Sequence, residues 1–116
     1  MSKIVPFPSP SKAYPNPKIV LHRTELNVIL AVYGSLVANG KARDYAIDMG
    51  PDRAAFSIFR HAAERATWRI EKNPALRRKQ GEWCVTGMNG QVLKRGHELA
   101  QVLRIFDRYS MKIVTD

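Results

Sequence analysis

The hydrophobic period changes twice along this chain, from helical to two and back to helical, and that order leaves few folds open. Between residues 44 and 95 apolar side chains alternate with polar ones in short runs bounded by turn residues, the pattern of half-buried strands. Tyr45, Ile47 and Met49 alternate with Asp44, Ala46 and Asp48, and Gly50-Pro51-Asp52 supplies a turn. Ala54, Phe56 and Ile58 form the next run, with Phe59 on the other face. Trp68 and Ile70 alternate with Thr67, Arg69 and Glu71, and after a loop from Asn73 to Gly81 the pattern resumes at Trp83 and Val85. Met88-Asn89-Gly90 is a hairpin signal, because Asn-Gly readily adopts positive φ, and residues 91 to 95 form the return strand.

Helical spacing flanks this region. Leu26, Ile29, Leu30, Tyr33 and Val37 recur as a core-facing stripe, predicting a helix from about Arg23 to Asn39. Thr24 is a candidate cap, and Asn39-Gly40 a left-handed stop. Val28, Val32 and Leu36 widen the apolar arc, so either a sheet plus other elements wrap this helix or two copies pair through it, with these three as the candidate interface. A second helix is expected from Gly96 or His97, with Leu99, Val102, Leu103 and Phe106 at i, i+3, i+4 and i+7. Met111 to Val114 could add a short edge strand. The order predicts an α+β domain over residues 21–116: an antiparallel sheet of about five strands flanked by an N-terminal and a C-terminal helix. Residues 1–20 hold Pro6, Pro8, Pro10, Pro15 and Pro17 with three lysines and no acid. That composition predicts a flexible cationic tail, with a docking arm as the alternative.

Chemistry is hard to place on this pattern. Cys84 is the lone cysteine, which excludes an internal disulfide and a multi-cysteine zinc site, and its strand position suits a small core residue. His97-Glu98-Leu99-Ala100-Gln101 fails as a zinc-protease helix because Gln101 stands where the second histidine is needed. His22, His61 and His97 share no metal-ligand spacing, and Asp44, Asp48 and Asp52 lack the grammar of a calcium loop. Phosphate-binding glycine loops and the dinucleotide fingerprint are missing. The expectation is a binding protein with no enzyme activity, cofactor or metal. No apolar run approaches the roughly 20 residues of a membrane span, so a soluble, cytoplasmic protein is expected.

Charge is the anomaly. Nineteen Lys and Arg against ten Asp and Glu leave +9 on 116 residues, a balance that attracts nucleic acid or an acidic protein and also serves solubility. From Arg60 to Gln80 stand Arg60, Arg65, Arg69, Lys72, Arg77, Arg78 and Lys79 against Glu64 and Glu71. Arg77-Arg78-Lys79 falls in a loop, and Lys94-Arg95 precedes the second helix. The candidate nucleic-acid contacts are therefore Arg77, Arg78, Lys79, Lys94, Arg95 and Lys72. Trp68 and Trp83 fit core alternation better than a base-stacking platform.

Several runs also carry a resemblance. Thr24-Glu25-Leu26-Asn27, Arg43-Asp44-Tyr45-Ala46-Ile47-Asp48, Phe56-Ser57-Ile58-Phe59-Arg60, Arg69-Ile70-Glu71-Lys72-Asn73-Pro74-Ala75-Leu76 and Leu93 through Leu103 cover most of the chain beyond the tail. Together they resemble a small family known from alphaproteobacteria, the domain-of-unknown-function family numbered 2794. The resemblance implies a bacterial cytosolic protein and transfers no activity, cofactor or catalytic residue. At His22 the family often has an aspartate, a departure that bears on how the first helix is capped. Antiparallel strands followed by a helix also describe some single-stranded nucleic-acid-binding modules, a likeness of architecture alone. Two functions compete: nucleic-acid binding through the basic loop, and a protein-interaction or regulatory module, in its simplest form a homodimer through the first helix.

Overall fold

A computed structural model describes residues 18–61 and 65–109. Helix α1 (Arg23–Ala38) leads into strands β1 (Asp44–Met49), β2 (Ala54–Phe59), β3 (Trp68–Lys72), β4 (Trp83–Thr86) and β5 (Val92–Gly96), and helix α2 (Leu99–Val102) follows. The strands form one antiparallel meander in the order β1-β2-β3-β4-β5. Most of the period-two reading holds to the residue. Residues 1–17 and the proposed edge strand 111–114 lie outside the described residues.

Pairing registers sort the side chains onto two faces. Tyr45, Ile47 and Met49 align with Ile58, Phe56 and Ala54, which align with Trp68, Ile70 and Lys72, then with Val85 and Trp83. This face is the core, and both described helices pack on it. Over β1 and β2, Tyr33 of α1 meets Tyr45 and Phe56 with ring centroids 5.0 and 6.0 Å apart. Over β3, Phe106 stands edge-on to Trp68 at 5.4 Å. Both tryptophans are buried here, as core alternation predicts.

Helix α1 starts and ends where expected, with two corrections. The capping residue is His22 rather than Thr24: its carbonyl accepts from the Leu26 N–H, and its own N–H donates to Glu25 Oε1 at 2.9 Å. Half of a capping box thus survives without the aspartate. Leu36, assigned above to an interface, is 1% exposed in the core, whereas Val37, assigned to the core, is 42% exposed. A broad apolar arc does not define its own centre. The segment after α2 packs against the Val32–Leu36 flank and rotates the buried stripe by one position. Gly40, at φ 73°, provides the left-handed stop.

Helix α2 is capped by Glu98 and gives way after one turn to a 3-10 segment, Leu103–Phe106, that keeps Val102, Leu103 and Phe106 buried. Part of the tail's expected span is anchored: the Ile19 N–H donates to the Gly50 carbonyl at 2.7 Å, and Leu21 is buried.

Candidate nucleic-acid interface

The other sheet face carries no described helix. Its rows read across the strands as Asp48, Ala55, Glu71, Cys84 and Arg95, and as Ala46, Ser57, Arg69, Thr86 and Val92. Small side chains run through the middle, so Ala55, Ser57 and Cys84 are buried between longer neighbours and form the floor of a shallow trough. Burial pushes the Cys84 thiol above its ordinary range, while Arg95 draws it down and Glu71 raises it. A neutral thiol on that floor is a poor nucleophile.

A meander alternates its connections between two ends, and charge divides with them. At one end lie Gly50–Arg53, the loop 73–82 and the start of α1. Here cations meet acids: Arg53 pairs Glu71 at 3.5 Å, Arg77 pairs Glu82 at 2.9 Å and Lys72 pairs Glu25 at 2.8 Å. At the other end lie the entry to β1, the β2–β3 connection and the β4–β5 hairpin. Arg43, Arg60, Arg65 and Arg69 belong to this end, and Asp44 is the acid that accompanies them on the described strands.

Two arginines at this end of the trough are held by neutral groups. Arg69 Nε donates to Ser57 Oγ at 3.3 Å, and an Arg65 guanidinium nitrogen donates to Asn89 Oδ1 at 3.1 Å. Both line a pocket with Ala66, Thr86, Gly87, Met88 and Gly90. Hydrogen bonds from hydroxyl and amide oxygens orient a guanidinium without cancelling its charge. Met88 and Val92 expose apolar surface beside it.

The residues singled out in the sequence do not converge. Lys72 is 4% exposed on the core face, where its ammonium also donates to the Val20 carbonyl at 3.0 Å and lies 5.7 Å from the Trp83 ring centre. It is a structural cation, out of reach of a ligand. Arg78 and Lys79 are exposed on the acid-matched loop beside the paired Arg77. Arg95 faces the trough next to Cys84, but Lys94 faces the helix layer beside Gln101 and Arg104, because neighbours in a strand point opposite ways. Val28 is exposed on α1, and Val32 is half-buried in a groove with Phe106. Arg43, Arg60, Arg65 and Arg69 were not among the residues singled out, although Arg60, Arg65 and Arg69 stand in the basic run from Arg60 to Gln80.

The structure defines a class: an α+β domain with a five-stranded meander, the described helices on one face and, on the other, a trough of small residues edged by arginines. The chain belongs to the family described as a protein of unknown function (DUF2794), which it matches over residues 19–103. No curated protein and no solved structure matches it. Among the described residues no helix is long and apolar enough to cross a membrane, and no three His, Cys, Asp or Glu side chains gather as a metal site.

Proposed function

We propose that the protein is a single-stranded nucleic-acid-binding module that works through the sheet face opposite the described helices and its arginine-rich end. The observation that carries this reading is the division of charge between the two ends. At the loop end Arg53, Lys72 and Arg77 have carboxylate partners; Arg65 and Arg69 beside the trough are oriented by neutral oxygens and keep their charge for a ligand. A face five strands wide cannot enter a duplex groove, which admits a helix or a two-stranded ribbon. An extended single strand can lie across the trough, with phosphates toward Arg43, Arg60, Arg65 and Arg69 and bases over the small residues. Arg95 extends this path, and Arg78 with Lys79 adds attraction at the far end.

The test is fluorescence anisotropy with labelled single-stranded DNA and RNA over a salt series. Contacts from four arginines predict that log K falls by about 3 per log unit of salt, at roughly 0.7 per phosphate on single strands. Duplex of the same length should bind several-fold more weakly. An absence of binding at low salt would overturn the reading.

A second reading rests on α1. From Leu26 to Gly40 the chain has no charge, and Val28 is 41% exposed beside exposed Ala31. In a chain of +9, that is a face on which two copies could meet without repulsion. Sedimentation equilibrium checks it: a dimer broken by Val28→Glu supports it, and a monomer at high concentration removes it.

A further inference from the structure

The geometry points to a discrete phosphate seat at the mouth of the β4–β5 hairpin, formed by Arg65, Arg69 and the Thr86–Gly87 edge. The inference rests on the nucleic-acid reading for its natural ligand, a backbone phosphodiester, and goes beyond it by naming where one phosphate sits.

Three observations converge there. Arg65 approaches from the β2–β3 connection and Arg69 from β3, so the guanidinium groups reach the pocket from different segments. Each is held through one nitrogen by a neutral oxygen, which leaves its remaining N–H groups as donors. Among the described residues no carboxylate lines the pocket; Thr86 adds a hydroxyl, and Gly90 leaves the hairpin backbone uncovered, while the Gln91 side chain packs against Gly87. Glu71, the acid two positions along β3 on the same face, is turned to Arg53 at the other end. Two preset guanidiniums with no described acid between them suit a tetrahedral oxyanion, because each can direct paired N–H groups at its oxygens. The exposed Met88 and Val92 side chains flank the seat, where an adjoining base would lie.

Paired titrations test this on the full chain. Arg65→Gln and Arg69→Gln should each weaken a single-stranded 12-mer by about ten-fold, the scale of one charge-assisted contact, and flatten the salt slope by about 0.7. Arg69→Lys, which keeps charge and loses the fork, should fall between. Inorganic phosphate followed by amide NMR should shift Thr86, Gly87 and Met88 in the wild type and leave them still in Arg69→Gln. If the wild type binds the 12-mer and both Gln variants keep its affinity and slope, the seat is refuted and the wider reading stands. Should the wild type ignore the 12-mer while phosphate still shifts those amides, the nucleic-acid reading falls and the seat belongs to a small phosphate ligand. Silence with both probes overturns both.

Discussion

Replacing Glu25 by Gln should expose how strongly the start of α1 depends on one buried cation. Lys72 is buried on the core face of β3, and its ammonium is held by the Glu25 carboxylate at 2.8 Å, the Val20 carbonyl at 3.0 Å and the Trp83 ring. At that separation an effective dielectric of ~20 gives roughly 6 kcal/mol of gross attraction, most of it offset by the desolvation of both ions. Removing one partner of a buried pair typically costs about 3–5 kcal/mol because the other charge is left uncompensated. The Glu25 side chain is 21% exposed, and the Val20 carbonyl and Trp83 remain, so about 2–3 kcal/mol is expected. Gln keeps the oxygen that accepts the His22 N–H, so charge is the main loss. Combining E25Q with Lys72→Met removes the stranded charge and fills its channel with an apolar chain of similar length. The double variant should recover to within about 1 kcal/mol of wild type. Urea denaturation followed by tryptophan fluorescence reads both, and in a thermal melt E25Q should lower Tm by about 8–20 °C. An E25Q variant within ~0.5 kcal/mol of wild type, or a double variant no more stable than E25Q, would refute the reasoning.

Other substitutions follow from the packing. Gly81→Ala should destabilise by about 2–4 kcal/mol in the same assay, since φ is 107° and an added Cβ would lie 2.4 Å from the Gly96 carbonyl group. Gly34→Ala, at a helical position with open space around it, should instead raise stability by about 0.5–1 kcal/mol. Phe106→Ala removes the ring that joins Trp68 to the α1 groove, and a loss of about 3–5 kcal/mol in denaturant titration is expected. The Cys84 thiol is raised in the folded state, so above the unfolded thiol's ordinary pKa of about 8.5 the unfolded chain ionises first and stability falls as pH rises. Cys84→Ala should reduce that alkaline decline, and Ellman's reagent should label the native wild-type thiol far more slowly than the urea-unfolded one.

Most of the architecture was legible because it is written in period. Alternation at Tyr45–Met49, Ala54–Ile58 and Trp68–Ile70 puts the large apolar side chains on one face, and a one-residue slip would have turned Ile47, Phe56, Ile58, Trp68 and Ile70 away from the helices. Phase on α1 was harder: an arc holding Val28, Ile29, Val32, Tyr33, Leu36 and Val37 permits more than one buried centre, and the choice of Leu36 over Val37 depended on the packing of distant Phe106. The site was least legible. Charge was visible along the chain, but its compensation was set by partners far away in sequence, such as Glu25 for Lys72 and Glu71 for Arg53. The conspicuous Arg77-Arg78-Lys79 triplet drew attention to the end of the sheet where acids gather. Arg65 and Arg69 gained meaning only when the meander brought Asn89 and Ser57 beside them.

Mapping amide chemical shifts on the full chain while titrating an unlabelled single-stranded 12-mer would locate its binding surface. Perturbation concentrated at Ala46, Ser57, Arg69, Thr86, Val92 and Arg95, with α1 and α2 unchanged, is the predicted footprint. Shifts confined to Arg77–Gln80, or spread over the outer face of α1, would contradict the proposal that the sheet face opposite the described helices is the nucleic-acid interface.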